Sequence, residues 1–255
     1  MPSVDTLKIG TVPFANVMPL DFYLPEILPE AEFVFGVPSK LGELLAAGEI
    51  DVALLSSIEL YHNPDYGYIP GIGICSDGPV ASVCLFTHDY PSLLHSVALD
   101  SNSLTSNTLL QILFREYWEH EPKYHTYTPP VEKGLEIADA ALSIGDNTFY
   151  MKDKSYQAID LGETWQEHTQ LPFVYAPWVT RKGIDPNDIA EPFQEAKKQG
   201  MEHLKPLSIV CGQQRDLPPE FLYRYFTQNI RYDMGDLEIE GMQLFFEKAR
   251  EILEE

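Results

Sequence analysis

The sequence predicts an α/β protein of two lobes, and three observations predict it. Strand-like and helix-like patches alternate in two successive stretches, Leu7 to Leu55 and Ser96 to Ile144. Two apolar runs, Val80 to Thr87 (VASVCLFT) and Pro172 to Thr180 (PFVYAPWVT), are suited to carry the chain from one lobe to the other and back. Finally, 255 residues exceed the usual domain, and with 44% apolar residues against 22% charged there is enough buriable surface for two cores.

Each element has a local reason. Leu7 to Val12 is a short β-rich run stopped by Pro13, and Glu32 to Val37 (EFVFGV) is a second, closed by Pro38 and Ser39. Ser39 reads as an N-cap for the helix carrying Leu41, Leu44 and Leu45, with Gly48 as its stop. Asp51 to Leu55 (DVALL) is then a buried strand, and β-α-β order favours parallel pairing with right-handed crossovers. The second stretch repeats this grammar. SVALD from Ser96 is a strand, Ser103 to Trp118 a helix with Leu109, Leu110, Leu113 and Phe114 on one face, Tyr124 to Tyr127 a strand, and Asp139 to Ile144 (DAALSI) another. Beyond residue 181 the pattern is mostly helical, with candidates at Asp185 to His203, Pro218 to Asn229 and Leu237 to Glu254. A chain that leaves the first lobe near 87 and returns near 177 has the two-crossover layout of a type II periplasmic-binding-protein-like fold, two α/β lobes with a ligand cleft between them. The first lobe is expected over 1–86 plus 178–255 and the inserted lobe over 87–177.

Charge narrows the partners. With 39 acids against 17 bases the formal charge is -22, and such a polyanion repels phosphate backbones and anionic bilayers, so no nucleic acid and no membrane is expected as partner. Cys75, Cys84 and Cys211 have neither zinc-knuckle nor CxxC spacing and read as buried, reduced thiols. MPSVDTLKIG has no apolar leader region, and no run approaches the ~18 residues of a membrane span, which together read as a cytoplasmic protein.

Small polar clusters stand where strands are expected to end: Pro13 to Pro19 (PFANVMP), Ser56-Ser57-Ile58-Glu59, Ser76-Asp77-Gly78-Pro79 with Ser82 beyond, and Ser103-Leu104-Thr105-Ser106-Asn107. In open α/β sheets ligands sit outside the carboxyl ends of the strands, and hydroxyls with backbone N–H groups at helix starts suit carboxylates. Taken singly, each cluster reads first as a helix cap; only the four together bring a ligand site level with capping. The seven histidines lack HxxxH spacing, so no metal site is expected, and no GxGxxG, P-loop or GxSxG occurs. The residues alone lead to a two-lobed binder of a small, anionic molecule.

At Ser76 to Ser82 (SDGPVAS), the sequence resembles the chorismate dehydratases of the futalosine route to menaquinone. The same resemblance is carried by Gly48-Glu49-Ile50-Asp51-Val52-Ala53, Ser56-Ser57-Ile58-Glu59, Asp160-Leu161-Gly162-Glu163-Thr164-Trp165 and Leu171 through Trp178, together covering most of 9–181. The sister family, 1,4-dihydroxy-6-naphthoate synthase, shares the DLGE-W and LP elements. It opens with a SPCPND-like segment where this chain has Val12-Pro13-Phe14-Ala15-Asn16, and carries a histidine base in the slot of Gly145. Dehydratases often read YLN where this chain reads Phe14-Ala15-Asn16; Asn16 is retained.

The resemblance implies a binding-protein fold turned to catalysis, a hydro-lyase with no metal or organic cofactor, and chorismate as the substrate. It places Asn16 as the catalytic residue, with Ser56, Ser57, Ser76, Ser82, Thr105, Ser106, Gly145 and Asp146 as substrate-binding residues. The base is expected to be the substrate's own enolpyruvyl carboxylate, with Asp77 and Asp146 as alternatives. A non-catalytic binder of small carboxylates and the sister synthase are the competing functions. Residues 1–90 hold two bases, Lys8 and Lys40, against twelve acids, so anion capture is expected from neutral donors without an arginine clamp.

Overall fold

Pro13 ends the first β-rich run where its missing N–H requires, and the strand β1 spans Lys8–Thr11. In the computed structural model, which describes residues 6–151 and 155–254, the chain divides into two compact units, Met1–Cys75 with Val174–Gly235 and Ser76–Phe173 with Asp236–Glu255. Met1 to Asp5, the start of the stretch read for a leader, lies outside the described residues.

The first unit continues through the short helices α1 (Met18–Asp21) and α2 (Leu24–Ile27), then β2 (Glu32–Phe35), α3 (Pro38–Ala46), β3 (Val52–Leu54), α4 (Ile58–His62) and β4 (Gly67–Ser76). The second holds β5 (Val83–Thr87), β6 (Ser96–Asp100), α5 (Leu104–Glu116), β7 (Lys123–Tyr127), α6 (Val131–Leu135), β8 (Ala140–Ile144), β9 (Gln157–Asp160) and α7 (Leu161–Thr169). β10 (Phe173–Thr180) leads back to the first unit and to α8 (Ala190–Glu202), α9 (Leu204–Arg215), α10 (Pro219–Arg224) and β11 (Arg231–Met234), before α11 (Asp236–Leu253).

The six-stranded sheet runs β11-β4-β10-β3-β1-β2 and the five-stranded sheet β7-β6-β8-β5-β9. Each contains a parallel triplet, β2-β1-β3 in one and β7-β6-β8 in the other. Each also takes a strand from its crossover run antiparallel to the third member, β10 on β3 and β5 on β8. The expected parallel sheets are therefore mixed, because a strand arriving from the other unit enters against the direction of the βαβ strands.

The unit boundaries differ from those expected. The first falls at Cys75/Ser76 rather than 86/87, because β5 belongs wholly to the five-stranded sheet. The last helix, expected with the first lobe, belongs to the second unit. There α11 meets Pro172 at Gly241, where an added Cβ would sit 2.1 Å from the Pro172 carbonyl oxygen. Gly200 does the same in the first unit, letting α8 approach α1 until a Cβ would lie 1.9 Å from the Pro19 carbonyl oxygen.

Three local expectations are corrected. α3 starts at Pro38 with Val37 as its cap, so Ser39 is inside the first turn. β4 went unassigned because Pro70 and three glycines in GYIPGIGICS read as loop, yet its last five residues are buried. α9 and β11 were also unassigned in a tail read as three helices. All three cysteines are buried, and so are Tyr225 and Phe226, which form core where α10 runs into its terminal π turn. No described helix is long and apolar enough to cross a membrane.

Candidate functional site

In the first unit, β1 delivers the chain at Thr11 to a loop that turns through Ala15–Val17 as a 3-10 helix, the Val17 N–H donating to Phe14 at 3.2 Å. Asn16 is half-buried in this turn. The Thr11 hydroxyl donates to Asp21 Oδ2 at 2.7 Å. Burial pushes the Asp21 carboxyl up to about 7; the Thr11 bond and the Arg215 charge pull it back only in part. Arg215, at the end of α9, donates from Nη2 to the Pro13 carbonyl at 2.9 Å. A cation thus reaches the end of β1, which the sequence reading did not foresee.

β3 ends beside Ser56 and Ser57, both buried. Ser57 donates its N–H to Tyr175 at 2.9 Å and its hydroxyl proton to Val174 at 2.8 Å. That hydroxyl ties down β10 and has only acceptor capacity left, which does not suit a carboxylate. Ser56 has no such tie to β10 among the described bonds, while the helix that follows it, α4, is five residues long with no side-chain cap.

In the second unit, β6 delivers Asp100 to a turn from which α5 starts. Ser103 caps α5, accepting from the Ser106 N–H at 3.1 Å and donating to the Ser106 hydroxyl at 2.8 Å. In that arrangement Ser106 accepts, so its own proton is available to a ligand. Thr105 and Ser106 are both buried in the first turn of a thirteen-residue helix, where the dipole favours an anion. Burial pushes Asp100 up to about 6, its Oδ1 accepting from the Asn102 N–H at 2.9 Å. Among the described residues, two buried acceptor atoms there have no hydrogen-bond partner, Asp100 Oδ2 and Asn107 Oδ1.

The loop before β5 and the end of β8 come together. Gly145 donates its N–H to the Ser82 carbonyl at 2.8 Å, and the Thr148 hydroxyl contacts the same oxygen at 3.4 Å. Gly145 and the half-buried Asp146 open the 3-10 turn Gly145–Tyr150. Ser82 and Ser76 are buried, Ser76 as the last residue of β4, whereas Asp77 is exposed. Within the second unit the structure therefore joins Ser82 to Gly145 and places Thr105 next to Ser106; within the first, Asn16 and Ser56 follow the adjacent strands β1 and β3.

A family model described as menaquinone biosynthesis matches residues 7–251. The chain belongs to this family. A curated member from Thermus thermophilus, named chorismate dehydratase, is 29% identical over 94% of this chain and 93% of its own length. Another of that name, from Campylobacter jejuni, is 34% identical over 66% of this chain and 64% of its own. Solved structures establish the fold. A protein of Archaeoglobus fulgidus aligns with TM-score 0.80 at 16% identity, covering 98% of this chain and 99% of its own. The periplasmic aliphatic sulphonate binding protein of Escherichia coli aligns with TM-score 0.66 at 18% identity, over 100% and 88%. The fold of this menaquinone-biosynthesis family member is periplasmic-binding-protein-like.

Four residues of this family member escaped the sequence reading: Asp21, Asp100, Arg215 and Asp160. Asp100 carried a readable signal, since it ends a predicted strand and precedes a capped helix. The other three make their telling contacts with residues far along the chain or through burial, neither of which has a local signature.

Proposed function

We propose that this protein is a chorismate dehydratase, a hydro-lyase that converts chorismate to 3-[(1-carboxyvinyl)oxy]benzoate and water within the futalosine route. The observation that carries this reading is the relationship to the Thermus thermophilus dehydratase across nearly the full length of both chains.

The chemistry is modest. The C3 proton of chorismate is acidified through the ring diene by the ring carboxylate, the neighbouring C4 hydroxyl is allylic, and loss of both gives an aromatic ring. Orientation and limited proton transfer are what the protein has to supply.

We assign the two units different parts. Ser82, Thr105, Ser106 and the N-terminal amides of α5 hold a substrate carboxylate, assisted by the Gly145–Asp146 turn. Charge-assisted hydrogen bonds of this kind contribute about 1.5–3 kcal/mol each, so a few offset burial of the anion. In the first unit Asn16 orients the enolpyruvyl arm and leaving hydroxyl, with Ser56 as a further donor. The enolpyruvyl carboxylate takes the C3 proton. Asp21, bonded to Thr11 at the end of β1 and raised by burial to about 7, supports a role in giving a proton to the departing hydroxide.

The test is one incubation of the purified chain with chorismate and with cyclic dehypoxanthine futalosine, followed by mass spectrometry. Loss of 18 mass units, one water, from chorismate supports the reading. Consumption of the second compound alone points to the sister synthase, and return of both unaltered leaves a binder.

A further inference from the structure

Four backbone N–H groups converge on one carboxylate, that of Asp160. Two belong to the start of α7: Gly162 and Glu163 donate to Oδ1 at 2.9 and 3.1 Å, an ordinary N-cap. The other two come from about eighty residues earlier, Val80 donating to Oδ1 at 3.1 Å and Ala81 to Oδ2 at 2.6 Å. Capping α7 does not require them.

What they hold is a strained turn. Ala81 has a φ of 62°, and an L-residue in this left-handed region costs about 1–2 kcal/mol, so the turn persists only while something outside it compensates. The next residue is Ser82, whose side chain is buried and whose carbonyl receives the Gly145 N–H. The chain's direction into Ser82, and through that carbonyl the position of the Gly145–Asp146 turn, depends on the Ala81 conformation.

We infer that Asp160 is a positioning residue: by clamping the Val80 and Ala81 amides it aims the Ser82 hydroxyl at the substrate carboxylate. The inference rests on the reading of Ser82 as a substrate donor. Burial raises the Asp160 carboxyl above its ordinary value while the four N–H bonds favour its charged form, as expected of an anion kept inside by backbone dipoles.

The experiment is a double-mutant cycle on the full chain with D160S, S82A and D160S/S82A, reading kcat, KM for chorismate and thermal midpoint. Serine keeps the α7 cap but is too short to reach Val80 and Ala81, so D160S should melt within a few degrees of the parent. Its kcat/KM should fall about 100-fold, the cost of a misplacement of about 1 Å, with the loss in KM as for S82A. The double variant should be no worse than the weaker single variant, because both changes remove one interaction. Losses that multiply, a D160S enzyme within about twofold of the parent, or a loss confined to kcat as from a misfolded fraction, would each overturn the inference. A silent S82A would instead remove Ser82 from the site, and with it the premise. Should D160S fail to fold, the isosteric D160N runs the same cycle: with its amide oxygen kept on the three N–H groups that Oδ1 accepts, its amide nitrogen opposes the Ala81 N–H and breaks the clamp there.

Discussion

The two units share a strand order, a parallel triplet followed by an antiparallel crossover strand, yet their carboxyl ends are built differently. In the second unit the helices that follow β6 and β9 are α5, thirteen residues capped by Ser103, and α7, nine residues capped by Asp160. In the first, the helices that follow β1 and β3 are α1, of four residues, and α4, of five, both without side-chain caps. A helix of one turn has little aligned dipole to offer an anion, whereas α5 has several turns behind its N-terminus. The first unit has instead a protonatable carboxyl, Asp21, and a guanidinium, Arg215, beside Asn16's turn. On the proposed reading, the second unit holds the anion and the first moves the proton.

Perturbing the shared plan should have the largest effect. Gly200→Ala and Gly241→Ala each force a methyl group into a proline carbonyl, and each is expected to cost about 3 kcal/mol, the upper end for overpacking. Denaturation by urea checks this; a loss below about 1 kcal/mol in either would mean the helix slides freely on its unit.

Next, Asn16→Ala should lower kcat about 100-fold with KM nearly unchanged, the range for orientation and proton transfer. Ser106→Ala and Thr105→Ala should do the reverse, raising KM about tenfold, the loss of one charge-assisted bond, with kcat kept. Steady-state kinetics decides, and interchanged outcomes would break the division between the units.

The last effect concerns pH. Asp21 holds its proton up to about 7 in the folded chain and releases it near the ordinary aspartate value of 3.8 when unfolded. Between these values the native state binds more protons, so the stability from neutral Asp21 is complete below about pH 4 and is lost as pH rises to about 7. Asp21→Asn should therefore gain on the parent in melting temperature, by on the order of ten degrees, from pH 4 to 7, with the gain level above that. A constant offset across that range would show that Asp21 titrates normally.

Much of the fold was legible because its signals are local. Ser96 to Asp100 and Pro172 to Thr180 announced β6 and β10 by composition and bounding residues, and Ser103 announced the α5 cap that the Ser106 N–H fills. Where local signals competed, the reading slipped: Pro38 at the first helical position displaced Ser39 as cap, and the glycines of β4 concealed a strand whose burial comes from its sheet neighbours.

The sequence by itself determined the alternating α/β grammar, the two crossover runs, the net charge of -22, and the hydroxyl clusters at strand ends. All of these follow from periodicity, propensity and composition over a few residues. Only the tertiary structure decided what those clusters touch. It committed Ser57 to Val174 across 117 positions, brought Arg215 to Pro13 across 202, and tied Ala81 to Asp160 across 79. Such contacts depend on the register in which a crossover strand or a C-terminal helix meets its unit, which is set by packing over the whole unit and leaves no mark in the neighbouring residues.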